Sequence, residues 1–205
     1  PSLRYAHADH HHAAIKMTGT PEVILGNDGG IHVSTDDGAT FSSQKNNGLA
    51  THLYYTIAGN PKDSNVVIGG TQDNGTRVRT GNGSIHNQSI GGDGMGAAYS
   101  QANTNTVMGS SQGSGIRTNL TNNPPDVFQN FVARGPLADA AGAGFFTAVV
   151  AAPAALDASG RVFFHFTNSR VWRTNDGGLN WLLIGSATAP VSPGLPPTRR
   201  FRSSP

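Results

Sequence analysis

The sequence predicts an all-β chain made of four repeated units, each a four-stranded antiparallel sheet. Three observations predict it. The first is composition: 205 residues carry 27 Gly and 12 Pro but only 13% charged side chains. Eleven acidic residues are Asp and one, Glu22, is Glu. Asp and Gly favour turns, whereas Glu and Lys favour helices. No window carries the apolar stripe of an amphipathic helix. The second is a near duplication. Residues Ser34-Thr35-Asp36-Asp37-Gly38-Ala39-Thr40-Phe41 return as Thr174-Asn175-Asp176-Gly177-Gly178-Leu179-Asn180-Trp181. The third is register. His32-Val33-Ser34, Val78-Arg79-Thr80, Ile116-Arg117-Thr118 and Trp172-Arg173-Thr174 align, with 46, 38 and 56 residues between successive hydroxyls. Four short strands per unit, repeating at about 40–50 residues, are the signature of a β-propeller.

The elements follow in order, labelled A to D within each unit. The first unit (1–47) places strand A at 8–16, B at 22–26, C at 30–34 and D at 40–44. The second (48–92) places them at 55–59, 65–69, 76–80 and 84–89. The third (93–137) has 96–101, 106–110, 115–118 and 127–133. The fourth (138–188) has 146–152, 161–166, 170–174 and 181–185. Residues 189–205 are rich in Pro, Ser and Arg and read as a tail. Four units are few for a closed ring. The chain is therefore expected to need missing blades or to close by homo-oligomeric pairing, because an open ring exposes a sheet edge and a blade face.

Composition also excludes function classes. The net charge is +2, but Arg199, Arg200 and Arg202 supply three of the 14 basic residues. No clustered basic face with stacking aromatics remains, so nucleic acid is not an expected partner. With no cysteine there is neither a disulfide framework nor a thiol nucleophile. No apolar run reaches the length of a membrane span, so no membrane partner is expected. No leader peptide is evident, as in a mature secreted or periplasmic chain.

Strand order locates the candidate site. In an antiparallel four-stranded unit the B–C turns and D–A connections lie at one end of the strands. The A–B and C–D turns lie at the other. The duplicated octapeptides are C–D turns, so Ser34, Asp36, Gly38, Thr40 and Phe41, with Thr174, Asp176, Gly178 and Trp181, are expected to be structural. The Asp carboxylate accepts backbone N–H groups across the turn, the Gly permits positive φ, and the aromatic wedges against the next sheet. The B–C turns 26–30 and 69–75, the D–A connection 91–94 and the opening His7-Ala8-Asp9-His10-His11-His12 gather at the opposite end. Strand alternation puts His7, Asp9 and His11 on one face, where they are candidate ligands for a divalent metal. Otherwise no cofactor is expected. Asp28, Asp73 and Asp93 are candidate acid and base groups, and Asn27, Gln72 and Asn74 candidate binding groups beside them.

The octapeptides fit Ser/Thr-x-Asp-x-Gly-x-(Thr/Asn)-aromatic. This resembles the Asp-box, or BNR repeat, of sialidase-like β-propellers. Together with His-x-Asp-His-His, Gly-Asn-Asp-Gly-Gly, Gly-Thr-Gln-Asp-Asn-Gly and Gly-Gly-Asp-Gly, the chain over residues 7–185 is similar to bacterial BNR-repeat propellers called glycosyl hydrolases. Similar repeats occur in xyloglucanases and sortilin-type receptors. The resemblance implies an extracellular propeller whose B–C face binds a glycan or protein. The alternative is a glycoside hydrolase of sialidase-like or xyloglucanase-like type using paired Asp residues. True sialidase chemistry resembles three arginines on a carboxylate with a Tyr–Glu nucleophile pair. Here Glu22 lies at an A–B turn, on the wrong face, and no Arg lies in the B–C turns of the first two units.

Overall fold

The structure is a computed structural model that describes residues 2–3, 6–49, 52–81, 83, 86–103, 105–120, 131–136 and 144–186. It is all-β: four antiparallel sheets follow one another along the chain, with two short 3-10 turns and no α-helix among the described residues.

The first sheet contains β1 (Ser2–Leu3), β2 (His10–Lys16), β3 (Glu22–Asn27), β4 (Gly30–Ser34) and β5 (Phe41–Ser42), ordered β1-β5-β4-β3-β2. The second runs β6 (Tyr54–Asn60), β7 (Asp63–Thr71), β8 (Gly75–Arg79) and β9 (Asn87–Ile90). The third runs β10 (Gly94–Tyr99), β11 (Val107–Ser111), β12 (Gly115–Asn119) and β13 (Val132–Ala133). The fourth runs β14 (Ala148–Ala151), β15 (Phe163–Phe166), β16 (Arg170–Thr174) and β17 (Leu182–Ser186).

Several strand limits differ from the sequence expectation. Strand A of the first unit starts at His10 rather than Ala8, because Asp9 takes φ +56° and breaks the extended backbone. Strand D of that unit stops at Ser42, where Gln44–Asn46 turn into a 3-10 helix. β1 adds an unforeseen fifth strand outside β5. Of the third unit's expected strand D, residues 127–130 lie outside the described residues, as do residues 84–85 of the second unit's and the tail 189–205.

The sheets stack as blades. All six residues of β10 are buried, and β10 packs against β6 and β7 on one side and β14 on the other. Ala97, Tyr99 and Val107 join Ile68, Val78 and Ile90 of the second sheet. Ala98, Met108 and Ile116 join Val149 and Phe163 of the fourth. Alternation along β10 thus supplies both sheets from one strand. The blades do not close a ring. β2 is exposed along its whole length. The fourth sheet buries Phe163 but leaves Val150, Phe166 and Leu182 exposed on its other face.

Both octapeptide turns bond in the same way. Asp36 Oδ1 accepts from the Ser34 hydroxyl (2.7 Å) and the Thr40 N–H (2.9 Å), and Oδ2 accepts from the Thr40 hydroxyl (2.6 Å). Asp176 Oδ1 accepts from the Thr174 hydroxyl (2.8 Å) and the Asn180 N–H (2.9 Å), and Oδ2 from the Asn180 amide (2.8 Å). Gly38 and Gly178 take φ +88° and +96°, and each donates its N–H to the Ser34 or Thr174 hydroxyl at 2.8 Å. Trp181 donates its indole N–H to the Arg134 carbonyl of the third blade at 2.5 Å.

The third and fourth blades also share His165. Its ring is fully buried, with Nδ1 3.1 Å from the Ala148 carbonyl and Nε2 3.0 Å from the Ser114 hydroxyl. The pattern suits a neutral ring that donates from Nδ1 and accepts at Nε2. Burial pushes its pKa down to about 4.

Two pH windows follow. As pH falls below 6.5 the unfolded chain takes up a proton at His165 that the folded chain refuses until about pH 4. Unfolding free energy is expected to drop by roughly 3 kcal/mol across that interval. Denaturant titrations at stepped pH measure it, and His165→Gln should flatten the drop. The octapeptide carboxylates act at lower pH. Asp36 is held at about 2 by the Thr40 hydroxyl and N–H and then by Ser34. For Asp176, desolvation opposes the shift, but the Asn180 and Thr174 bonds outweigh it and hold the group at about 2. A depressed carboxylate stabilises the fold above its unfolded pKa and loses that contribution as pH falls. The melting temperature should therefore fall further between pH 4 and 2. In Asp36→Asn/Asp176→Asn that extra fall should shrink.

Candidate functional site

The B–C end of the first three blades is tied into one surface by short bonds. The Asn27 amide donates to the His7 carbonyl (3.0 Å), and its oxygen accepts the Gly29 N–H (3.0 Å), which folds the first turn back on itself. A Cβ on Gly29 would overlap the His7 ring. The Asn74 amide of the second turn donates to the Asp28 carbonyl of the first at 2.9 Å. His7 Nε2 lies 3.0 Å from the Asp73 carbonyl, and its Nδ1 3.0 Å from the Ala8 carbonyl. Asp93 Oδ1 accepts the Asp73 N–H at 2.7 Å. The Asp93 N–H donates to Gln112 Oε1 (2.9 Å), and the Asp93 carbonyl accepts the Gln112 N–H (3.0 Å). Turn, turn, D–A connection and third turn are thus linked in series.

Three carboxylates converge on this surface. One oxygen each of Asp9, Asp28 and Asp73 lie within 4.8 Å of one another. His11 Nε2 stands 2.5 Å from Asp28 Oδ1 and offsets part of their repulsion. The hydrogen bond to Asp28, then its charge, raises the His11 pKa. The same bond lowers that of Asp28. Asp73 moves the other way, up to about 6, through desolvation, a hydrogen bond with Asp28 and the negative charges of Asp28 and Asp93. Neighbouring carboxyls pushed in opposite directions divide acid from base. The oxygen donor set also suits a hard divalent cation better than zinc.

The expected metal set of His7, Asp9 and His11 is not what the backbone assembles. The positive φ of Asp9 and a bulge between His10 and His12 break the alternation that would align them. His7 has both ring nitrogens against carbonyl oxygens. Asp9 meets Asp28 and Asp73 instead, and His11 serves Asp28. Of the three candidate acid and base groups, Asp28 and Asp73 come together, whereas Asp93 braces the second turn. Asn27 and Asn74 are occupied in the same bracing. Half-buried Gln72 is anchored by its backbone N–H on the Leu53 carbonyl at 3.0 Å.

Sequence reasoning missed an aromatic shelf. Tyr55 meets Phe146 edge-on at 5.5 Å, and Phe146 meets Phe145 at 5.1 Å. Phe145 and Phe146 are 51% and 60% exposed. The Phe145 carbonyl accepts the Gly113 N–H of the third B–C turn at 3.4 Å, which fixes the shelf at the same end of the strands. Burial, then the charges of Asp93 and Asp73, raises the Tyr55 pKa. The available signal is the adjacent pair Phe145-Phe146, which the sequence places at the start of the fourth unit's strand A and the structure leaves in the connection before β14. A separate groove of about 730 Å³ runs along the inner strands past Ile57, Ala97 and Val150, away from this chemistry.

No family model and no curated protein matches the chain. Solved structures do resemble it. An ancestral GH74 enzyme shares 16% identity at a TM-score of 0.43, over 85% of this chain and 25% of that one. The GH74 enzyme of Niastella koreensis shares 15% at 0.40, over 85% and 24%. A humanized mutant of Chaetomium thermophilum Polycomb Repressive Complex 2, bound to the inhibitor GSK126, shares 12% at 0.42, over 94% and 43%. The chain spans about a quarter of the length of the two GH74 enzymes. Likeness this weak carries no functional argument.

The electrostatics can be checked directly. In a carboxyl-labelled NMR titration, Asp73 should change protonation near pH 6 and Asp28 below the ordinary range of its side chain. Asp28→Asn removes one of the two negative charges acting on Asp73 and should bring its midpoint down.

Proposed function

We propose that the chain is part of an extracellular β-propeller that binds a glycan across its B–C face. One observation carries this reading: a shelf of exposed Phe145 and Phe146 with half-buried Tyr55 lies at the same end of the strands as the acceptor-rich group of Asp9, Asp28 and Asp73. Sugar rings present C–H faces to aromatic rings and hydroxyl edges to carboxylates, so a shelf beside acceptors matches both sides of a saccharide. The shelf narrows the expectation of a glycan or protein ligand to a glycan. In this reading the two octapeptide turns are Asp-boxes and serve the scaffold at the opposite end of the blades.

Hydrolysis is the second reading, favoured by the opposite shifts of Asp28 and Asp73. Their oxygens lie within 4.8 Å. An inverting mechanism needs about 6.5–9.5 Å between the carboxyl groups to seat a water, and a retaining one about 5–5.5 Å, so this pair leaves no room for the water of an inverting mechanism.

Glycan-array screening followed by calorimetry tests the binding reading. Phe146→Ala should weaken the selected glycan by about fivefold or more, the scale of one lost aromatic contact. Asp36→Asn should leave affinity unchanged. Equal affinity for wild type and Phe146→Ala would remove the shelf from the argument. Turnover of the same glycan that disappears in Asp73→Asn, with binding retained, would move the function to the hydrolase.

A further inference from the structure

On the other side of the second B–C turn the charge reverses. Arg77 of β8 is half-buried. It donates from Nε to the Asn74 carbonyl and from Nη1 to the His86 carbonyl, both at 3.0 Å. Its Nη2 meets no acceptor among the described residues. Nor does Arg77 meet a carboxylate: the ion pairs among the described residues are His11–Asp28 and Lys16–Glu22. Arg79 stands two residues along the same strand and so shares the face. It bonds the Asn65 and Ser64 carbonyls at 3.2 and 3.3 Å.

Two imidazoles and a phenol complete the cluster. The Tyr54 ring covers Gly69, the cross-strand partner of Arg77. Its hydroxyl is 2.7 Å from His86 Nδ1. His52 meets Tyr54 edge-on with centroids 6.4 Å apart, and His86 lies across the same ring at 6.1 Å. Burial, then the neighbouring cations, lowers the pKa of both imidazoles: Arg77 and His86 act on His52, and Arg79 and Arg77 on His86. Burial raises that of Tyr54 against the pull of Arg77 and Arg79. The charged and titratable groups facing one another here are therefore Arg77, Arg79, His52, His86 and Tyr54, with no acid among them.

A guanidinium drawn out of water without an anion is unfavourable, and carbonyl dipoles compensate it only in part. We propose that Arg77, His52, Tyr54 and His86 form a binding site for a single oxyanion group: sulfate, phosphate or carboxylate. The planar guanidinium offers paired N–H donors to such a group, and the imidazoles and phenol add donors at its rim. The group can arrive as a free ion or as a substituent of a larger ligand. Arg77 Nε bonds the turn that carries Asp73, so a sulfated or uronate-bearing saccharide on the B–C face has this site within reach. The oxyanion site itself does not rest on the glycan reading.

Binding and protonation should be linked. An anion favours both imidazolium forms, so it raises both histidine midpoints, and lower pH in turn tightens the anion. The test is titration of inorganic sulfate at constant ionic strength, followed by the histidine ring signals. The expected result is saturable change at His52 and His86, midpoints raised by about one pH unit, and tightening of up to about tenfold for each proton taken up. Arg77→Gln should abolish saturation. Change that tracks sodium chloride equally, or saturation that survives in folded Arg77→Gln, would overturn the site. If Arg77→Gln does not fold, the wild-type midpoints decide: a rise with sulfate supports the site and unmoved midpoints overturn it. The source is separated by comparing inorganic sulfate with a sulfated oligosaccharide and its neutral parent. A preference for the sulfated sugar that Phe146→Ala weakens marks a substituent on a glycan. Equal binding of sulfate and sulfated sugar, indifferent to Phe146→Ala, marks a free ion and leaves the oxyanion site standing without the glycan reading.

Discussion

The close approach of β10 to the sheets on both sides sets the geometry of the whole B–C end. Gly94 lies against the backbones of Gly75 and Gly70, and Gly96 against that of Val149. A Cβ at any of Gly70, Gly94 or Gly96 would meet neighbouring backbone, which cannot turn aside as a flexible side chain can. Because every residue of β10 is buried, such a change would have to move a whole sheet. Asp93 immediately precedes this strand. The separation fixed by the glycines therefore also fixes where its carboxylate meets the Asp73 N–H, and through Asp73 the meeting with Asp28.

Much of this was legible in the residues. Turn-forming composition, third-strand register and the duplicated octapeptides point to repeated four-stranded sheets, because each reports local backbone chemistry. Meander topology is enough to bring Asp28, Asp73 and Asp93 to one end of the strands. What the sequence hides is set by single dihedrals and by strand limits. One left-handed residue, Asp9, separates His7 from the strand and redirects its own carboxylate. Strand β14 starts at Ala148, two residues after Phe146, so both phenylalanines stay in a connection where their rings can lie exposed. A strand that begins at Phe146 conceals them. β1 is too short to leave a periodic pattern, and its pairing with β5 spans the whole first unit.

The second B–C turn divides two fields of opposite sign. Asp73 faces the other carboxylates, and the Asn74 carbonyl one residue later receives Arg77. The turn is held from both sides by its own backbone, through the Asp73 N–H and the Asn74 carbonyl. Neither the acidic nor the basic cluster can shift without disturbing Asp73 and Asn74. A ligand with both hydroxyl and anionic groups would find complementary partners on the two sides of one rigid element.

Each strand pairs only with strands of its own sheet, and the sheets follow one another along the chain. Each sheet closes its strand ladder within one stretch of chain, and the sheets meet through side-chain packing, a few hydrogen bonds such as Trp181 to the Arg134 carbonyl, and the close approach of β10. A gene segment encoding one unit can thus be copied, lost or exchanged without rethreading its neighbours, provided the new face fits theirs. Such architectures diverge by changing the number of units as readily as by changing residues. The glycines that let β10 approach its neighbours are where that freedom ends, since a borrowed unit lacking them would not seat.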